Sequence, residues 1–171
     1  SCNGPFSKIT PSPNCWYTAG HGGLDVVSAL EVSCNNFYYE VGYRLGQDSE
    51  ENYDSDAGIE KLAKYADMFG LGQASGVEIP ESDAKISDQD PVRSAIGQGT
   101  HNYTVSQLNR YVSAVANKGT VYSLSLIDKT TDSDGKLIKD YEPEVVSEME
   151  DVSSSTWNLV HEGLSRMVSS S

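Results

Sequence analysis

One stretch decides the fold of this chain: residues 21–46, which read HGGLDVVSALEVSCNNFYYEVGYRLG. Apolar residues recur at helical spacing on both sides of a polar step in its middle, and this pattern predicts two short helices that meet there. Asp25 is suited to begin the first helix and Gly46 to end the second. Ser33 and Asn35 are good helix caps and poor interior residues, because their side chains compete for backbone hydrogen bonds. We therefore expect this polar pair to be held rigidly at the joint.

The periodicity also predicts which sides of the two helices are buried. The predicted apolar sides are Val26, Ala29 and Leu30 in the first helix, and Phe37, Tyr38, Val41 and Leu45 in the second. The Ser-x-Asn pattern occurs twice more, at 1–3 and 12–14, where no helical periodicity surrounds it. Taken alone, the pattern indicates a helix cap more often than a chemical role.

Length and charge limit the classes of protein to consider. The chain has 171 residues, of which 37% are hydrophobic, enough for one domain with a modest core. Its net charge of −13 argues against a surface for nucleic acid or anionic membranes, since both require an excess of Lys and Arg. The sequence contains no apolar run long enough to span a bilayer and no signal-peptide pattern. It starts within a loop and ends in three serines, so we expect an internal piece of a longer protein.

The three cysteines do not form a disulfide framework, because their number is odd. Cys2 and Cys15 have the option of pairing if the compartment is oxidising, whereas Cys34 is expected to be a part-buried small apolar residue. The histidines are scattered, and no Cys and His fall at the short spacing typical of zinc sites. We therefore predict no metal site and no cofactor.

The rest of the chain alternates loops with elements that carry their own start and stop signals. In order, we predict a loop at 1–23, an exposed acidic connection at 47–58, a helix at 59–69, a tight turn at 94–99, a helix opened by a capping box at Thr104, a hairpin around Asp134-Gly135 within 120–149, and a last helix at 153–168. Trp16 and Tyr17 are expected to pack the first loop onto the body. The predicted buried side of the helix after Thr104 consists of Leu108, Tyr111, Val112, Val115 and Ala116.

Several short motifs occur in an order that is typical of one family. They are His21-Gly22, Ser33-Cys34-Asn35, Phe69-Gly70-Leu71-Gly72, Gly76-Val77-Glu78-Ile79-Pro80-Glu81, Ala95-Ile96-Gly97-Gln98-Gly99, Thr104 with Gln107-Leu108, Asn117 with Gly119-Thr120, and Asp134-Gly135. Together they resemble the transpeptidase domain of penicillin-binding proteins, most closely the class B, cell-wall-elongation type, over roughly residues 20–168. The resemblance implies an α+β, predominantly helical fold: a partial penicillin-binding/β-lactamase-like transpeptidase domain with a small β-hairpin and most of the central sheet missing.

The resemblance also implies a catalytic pair. The family surrounds its groove with three motifs, Ser-x-x-Lys, Ser-x-Asn and Lys-Thr-Gly, and Ser33 and Asn35 match the second. By that analogy, the Ser33 hydroxyl relays a proton between the lysines and the leaving or attacking nitrogen. The Asn35 amide orients the substrate backbone and the lysine of the first motif. Both residue types suit these roles, because each is able to donate and to accept hydrogen bonds. Cys34 fills the variable middle position and receives no role.

The other two family motifs are expected outside the chain, the nucleophile before residue 1 and Lys-Thr-Gly after residue 168. Two internal matches to Ser-x-x-Lys, at 82–85 and 133–136, are rejected because they follow Ser-x-Asn and fall in polar turns. A nucleophile of this kind requires a buried helix start with its lysine one turn later. We therefore expect the isolated chain to be inactive, although the protein that contains it is expected to be a serine-type D,D-transpeptidase.

The resemblance further implies the partners and the location. The expected ligands are peptidoglycan stem peptides and β-lactam antibiotics, and the expected place is outside the cytoplasmic membrane of a bacterium, anchored by another part of the protein. We expect one partial domain over 1–171, with a helical subdomain at 24–119. Without the central sheet, exposed apolar helix faces predict a marginally stable or self-associating chain. The alternatives are a β-lactam sensor, a non-catalytic cell-wall scaffold with the same fold, or an acidic binding module in which Ser33 and Asn35 are only caps.

Overall fold

The computed structural model describes residues 1–170, which form six helices and four short strands. In chain order these are α1 (Val26–Glu31), α2 (Asn35–Leu45), α3 (Ser55–Met68), α4 (Pro91–Ser94), α5 (Val105–Ala116), β1 (Thr120–Tyr122), β2 (Lys129–Thr131), β3 (Leu137–Asp140), β4 (Val145–Glu148) and α6 (Ser154–Ser169). Among the described residues, no helix combines the length and the apolarity that crossing a membrane requires.

The chain divides into two compact units. The first unit comprises Ser1–Lys64, Ser87–His101 and the segment from Val152 onward, and the second comprises Tyr65–Ile86 and Asn102–Asp151. The first unit contains the loop at 1–23 and the joint between α1 and α2, which were predicted from the opening stretch. The second unit contains α5 and all four strands.

Helices of the first unit pack closely because small residues lie at their contacts. Asp25 caps α1 as predicted, with its carboxylate accepting the N–H of Ser28 at 2.8 Å. At Gly163 of α6, a methyl group would lie only 2.7 Å from the Cβ of Leu30 of α1. At Gly42 of α2, it would lie 2.3 Å from the carbonyl oxygen of Pro91. These glycines let the α1–α6 and α2–α4 pairs approach to backbone contact.

The buried side of α2 differs from the predicted one. The buried residues are Asn36, Tyr39 and Gly42, whereas Val41, which the periodicity assigned to the core, is 40% exposed. The reason is the close approach to α4, which selects the side that carries Gly42 rather than the side with the largest apolar residues. Tyr39 then packs with Phe6 and Val92 in a small core cluster.

We predict that Gly42→Ala destabilises the first unit by about 2 kcal/mol, because the added methyl collides with a backbone carbonyl that has little room to move. Gly23→Ala is the matched control, since nothing lies within 4 Å of a Cβ built at that position. Urea unfolding followed by tryptophan fluorescence measures the difference, because Trp16 and Trp157 both belong to the first unit. Equal stability of the two variants would show that α2 and α4 do not pack as described.

The second unit confirms the capping box and corrects the side of α5 that is buried. The Thr104 hydroxyl accepts the N–H of Gln107, and the Gln107 side chain accepts the N–H of Thr104 at 2.8 Å. The buried residues of α5 are Gln107, Arg110 and Ala114. The predicted apolar side is wrong, because Leu108 and Val112 are 44% and 60% exposed. Polar residues occupy the interior here because the Gln107 and Arg110 side chains donate hydrogen bonds to the carbonyl oxygens of a neighbouring loop.

The strands form two small antiparallel pairs. β1 pairs with β4, and β2 pairs with β3 across the predicted turn at Asp134-Gly135. Gly135 has a φ of 82°, a value that glycine adopts without the strain that other residues incur. The hairpin is confirmed, but β2 begins at Lys129 and therefore excludes the predicted Leu126-Ile127. Similarly, α3 begins at Ser55, inside the segment predicted as an acidic loop, where Asp54 accepts the N–H of Asp56 at 2.8 Å.

One carboxylate holds together two loops and the start of α5. Glu81 accepts the N–H and the hydroxyl of Ser75 at 2.7 and 2.8 Å and the Thr104 hydroxyl at 3.0 Å, and it also accepts the Ser106 hydroxyl. The hydrogen bond from Ser106, supported by those from Ser75 and Thr104, lowers the pKa of Glu81 to about 2. The charged form of this side chain is therefore the one that stabilises the second unit.

The pKa of Glu81 is lower in the folded state than in the unfolded state, so the charged side chain adds to the free energy of unfolding. This stabilisation is complete above the unfolded pKa of about 4.3 and is lost as the pH falls through about 2. We predict that Glu81→Gln lowers the stability of the second unit at pH 7 by about 1 kcal/mol, since charge-assisted hydrogen bonds that solvent partly screens are lost. The variant also has a flatter acid-unfolding curve. Glu142→Gln, an exposed carboxylate of the same unit, serves as the control. An acid-unfolding curve of Glu81→Gln identical to that of the unmodified chain would contradict the assignment.

Candidate functional site

The joint between α1 and α2 is a tight turn in which Ser33 adopts a left-handed conformation, with a φ of 49°. A residue other than glycine incurs a cost of about 1–2 kcal/mol there, so surrounding contacts must hold it. The backbone supplies two: Ser33 N–H donates to Leu30 O at 3.2 Å, and Cys34 N–H donates to Ala29 O at 3.0 Å. These contacts confirm the prediction that this segment is a joint held between two helices.

A third contact comes from the first loop. The indole N–H of Trp16 lies 2.9 Å from the carbonyl oxygen of Ser33 and 3.2 Å from that of Val32. The prediction that Trp16 and Tyr17 pack onto the body is nevertheless wrong, because the two side chains are 61% and 47% exposed. Trp16 instead fixes the turn through the N–H edge of its ring.

The polar pair on this turn is accessible. Ser33 is exposed, and Asn35 is half-buried as the first residue of α2. The capping position of α2 belongs to Cys34, which makes no side-chain capping hydrogen bond, so neither Ser33 nor Asn35 caps this helix. The Asn35 side chain instead hydrogen-bonds Tyr39. Burial raises the pKa of the Tyr39 hydroxyl. The turn thus presents one hydroxyl and one amide on a fixed backbone, groups that are able to pass a proton and orient a peptide.

A second cluster lies under this turn. The side chains of Cys2, Cys15, His21 and Cys34 place their sulfur and nitrogen ligand atoms within 4.8 Å of one another. The three cysteines are buried free thiols, and Nδ1 of His21 is 3.5 Å from the sulfur of Cys15. Burial raises the pKa of the Cys34 thiol. Burial acts in the same direction on Cys2, but hydrogen bonds from His21 and Gly4 outweigh it and lower the pKa of that thiol.

Short-range sequence spacing could not identify this cluster. The four residues come from both ends of the first loop, its middle and the turn after α1, and only tertiary structure brings them together. A signal was present, since all three cysteines and one of the three histidines lie within the first 34 residues. Cys34, to which the sequence analysis assigns no role, is one of its four members.

A cavity of about 560 Å³ opens next to the cluster. Its walls include Cys2, Cys34, Glu40 and Arg44, and also Asn36, whose buried Oδ1 has no hydrogen-bond partner among residues 1–170. Neither Ser33 nor Asn35 lines this cavity. It is therefore distinct from the surface on which the polar pair is exposed.

The two rejected Ser-x-x-Lys matches lie where a nucleophile would be poorly supported. Ser82 and Lys85 belong to an irregular segment, and Ser133 and Lys136 belong to the turn between β2 and β3. In both pairs the side chains are exposed. Neither pair starts a helix, so neither lysine is desolvated one turn after its serine.

Comparison with known proteins identifies the family to which this fold belongs. The chain matches the model of the penicillin-binding protein transpeptidase domain over residues 7–171. It belongs to that family, and its fold is a partial transpeptidase domain with only small sheets among the described residues.

Individual relatives are distant in sequence but cover most of the chain. It is 27% identical over 168 residues to penicillin-binding protein 2B of Streptococcus pneumoniae, covering 88% of this chain and 24% of that protein. It is 26% identical over 165 residues to the peptidoglycan D,D-transpeptidase MrdA of Salmonella typhimurium, with 87% and 24% covered. A solved structure of penicillin-binding protein 2B from Streptococcus pneumoniae superposes with a TM-score of 0.78 at 23% identity, covering 95% of this chain and 30% of that one. The chain thus spans about a quarter of the length of the curated relatives it matches.

Proposed function

We propose that this chain is one wall of the active-site groove of a peptidoglycan D,D-transpeptidase, in which Ser33 and Asn35 form the second catalytic motif. The observation that carries the proposal is the exposed Ser33 hydroxyl on a turn whose backbone is held by two hydrogen bonds to α1 and by the indole of Trp16. A helix cap does not require such a strained and supported position. Membership of the transpeptidase family supports this reaction class, and one relative is named a peptidoglycan D,D-transpeptidase.

In this proposal the nucleophilic serine of Ser-x-x-Lys is acylated by a stem peptide or by a β-lactam, and the Ser33 hydroxyl transfers the proton. During acylation the hydroxyl donates its proton to the leaving nitrogen and takes one from a lysine. When an acceptor amine attacks the acyl-enzyme, the amine gives up a proton and the transfer runs in the opposite direction. The Asn35 amide holds the substrate backbone and the lysine of the first motif. The left-handed backbone of Ser33 matters because proton transfer requires the donor and acceptor to be aligned before the reaction begins.

The isolated chain is inactive in this account. Residues 1–171 supply Ser33 and Asn35, whereas the nucleophile and the Lys-Thr-Gly strand belong to other parts of the longer protein. Without the nucleophile no acyl-enzyme forms, and without the strand the oxyanion lacks its hydrogen-bond donors. The longer protein acts outside the cytoplasmic membrane, where it is anchored and where stem peptides and β-lactams are its ligands. A net charge of −13 makes nucleic acid an unsuitable ligand.

Two measurements test the proposal. The first is to sequence the complete reading frame, in which Ser-x-x-Lys should precede residue 1 and Lys-Thr-Gly should follow α6. The second is to incubate the complete protein with peptidoglycan stem peptides and to detect cross-linked dimers by mass spectrometry. If both motifs are missing, the chain is a scaffold with the same fold. If the motifs are present and the protein is acylated by β-lactams without forming dimers, it is a sensor.

A further inference from the structure

Three rings form an aromatic platform beside the Ser-Cys-Asn turn: those of Trp16, Tyr17 and His21. The ring centroids of Trp16 and Tyr17 lie 5.8 Å apart, and each lies 5.2 Å from that of His21. Aromatic rings attract one another at separations of about 4.5–7 Å. Trp16 and Tyr17 are nevertheless 61% and 47% exposed, although tryptophan is highly buried on average in folded proteins. The platform therefore presents ring surface to the solvent.

The platform is held in place by contacts at its edges. The indole N–H of Trp16 donates to Ser33 O at 2.9 Å and lies 3.2 Å from Val32 O. Since that N–H is the one polar group of the indole, the ring face is what remains for a ligand. The backbone below Tyr17 closes through a hydrogen bond of 3.0 Å from Gly20 N–H to Tyr17 O. A surface fixed in this way loses little entropy when a ligand binds.

The charge around the platform favours a cationic ligand. Residues 9–43, which contain both the platform and the turn, include three carboxylates and no Lys or Arg. The face of an aromatic ring is the negative end of its quadrupole, and the indole face attracts cations most strongly. No positive charge of this segment repels such a ligand. The chemistry of the surface therefore suits an organic ammonium group.

The location of the platform indicates which ammonium group binds there. The carbonyl that accepts the indole N–H belongs to Ser33, whose hydroxyl is exposed on the same turn. In the proposed reaction, an acceptor amine has to reach the acyl-enzyme beside this hydroxyl. Such an amine is protonated in neutral water, because the pKa of an alkylammonium group is about 10. The acceptor thus arrives as a cation at the place where the exposed ring faces lie.

We propose that Trp16 and Tyr17 bind the ammonium group of the acceptor stem peptide through cation–π contacts, with His21 as the ring that holds them in place. This inference rests on the proposed function. The bound ammonium releases one proton to water, and the neutral amine then attacks the acyl carbon. A carbon–nitrogen bond forms and the ester bond to the nucleophilic serine breaks. The second proton of the amine passes through Ser33 and a lysine to the serine oxygen, which restores the free hydroxyl.

The first test measures how the acyl-enzyme divides between the acceptor amine and water. The complete protein is acylated with a thioester of an N-acylated D-alanine, and a stem peptide with a free amine is added at increasing concentration. Mass spectrometry counts the amide and the acid that are formed. Tyr17→Leu should raise the acceptor concentration for half-maximal amide formation about two- to five-fold, the loss of one exposed cation–π contact. The effect should fall on this concentration rather than on the maximal yield.

The chain contains a matched control for Tyr17. Tyr65 is 51% exposed and does not belong to the platform, so Tyr65→Leu removes an equally exposed tyrosine ring. The half-saturating concentration of the acceptor should be the same in Tyr65→Leu as in the unmodified protein. An equal rise in both variants would show a general effect of lost aromatic surface and would overturn the assignment.

Fluorinated tryptophan at position 16 separates the cation–π contact from simple apolar contact. Each fluorine withdraws electron density from the ring face and leaves the indole N–H available to Ser33 O, so this series remains informative if Tyr17→Leu fails to fold. The half-saturating concentration should rise stepwise from one fluorine to three. An unchanged concentration throughout the series would overturn the role of the platform while acylation proceeds. A complete protein that forms no acyl-enzyme would instead overturn the proposed function, and this inference with it.

Discussion

Ser33→Ala in the complete protein should lower the rate of acylation by a β-lactam by about 10²–10⁴-fold, the usual contribution of a positioned proton-transfer group. The fold should be unaffected, because Ser33 is exposed and the bonds that hold its turn come from the backbone and from Trp16. Asn35→Ala should also slow acylation. It has an additional structural effect, since the Asn35 side chain hydrogen-bonds the buried Tyr39.

The chain contains a matched control for this experiment. Ser12-Pro13-Asn14 has the same Ser-x-Asn pattern in the first loop, and the Ser12 hydroxyl donates to Phe6 O at 2.6 Å. Ser12→Ala should lose that hydrogen bond, with a small effect on stability, and should be acylated at the normal rate. Stopped-flow measurement with a chromogenic β-lactam compares the variants. Normal acylation of Ser33→Ala would remove the relay role and leave Ser33 as a structural residue of the turn.

Arg110→Ala should destabilise the second unit by about 3–5 kcal/mol, since it removes several charge-assisted hydrogen bonds and leaves their acceptors unsatisfied. Arg110 is 3% exposed, and its guanidinium donates to the carbonyl oxygens of Gly70, Gln73 and Ala74. These carbonyls follow the end of α3, where the helix dipole also favours a positive charge. Burial lowers the pKa of Arg110, but the group remains charged at every pH at which the chain is folded.

Two variants separate this effect from a general loss of charge. Arg110→Lys keeps the charge but lacks the planar fork that reaches three carbonyls, so we expect a loss between those of Arg110→Ala and the unmodified chain. Lys136→Ala removes an exposed positive charge of the same unit and should change the stability by less than about 0.5 kcal/mol. Hydrogen exchange of the amides at 70–74 reports on the second unit alone. Unchanged protection in Arg110→Ala would contradict this account.

Local signals predicted some of the elements, whereas the helix α4 and the pairing of β1 with β4 were not predicted. The capping box at Thr104 and the turn at Asp134-Gly135 depend on residues close in sequence, and both were found where predicted. The buried sides of α2 and α5 depend on neighbours. Gly42 is buried because α4 approaches it, and Arg110 is buried because a loop presents three carbonyls. The spacing of apolar residues within one helix contains no information about the approach of another helix or about the carbonyls of a distant loop.

The candidate site shows the same division. The position of Ser33 and Asn35 at a joint between helices followed from the opening stretch, because caps and apolar periodicity are local. The left-handed backbone of Ser33 and its contact with Trp16 did not, since the indole belongs to a distant part of the loop. The cluster of thiols and imidazole was missed for the same reason. Its members are brought together by the folded loop rather than by regular spacing.

In the proposed function, Ser33 and Asn35 serve an acylation site whose nucleophile lies outside residues 1–171. The most direct test is to treat both the isolated chain and the complete protein with benzylpenicillin and to locate the adduct by peptide mapping. We predict one penicilloyl group per complete protein, on the serine of a Ser-x-x-Lys motif that precedes this chain, and none on the isolated chain. A stoichiometric adduct on the isolated chain, or a complete protein that carries the three motifs and is not acylated, would contradict the account.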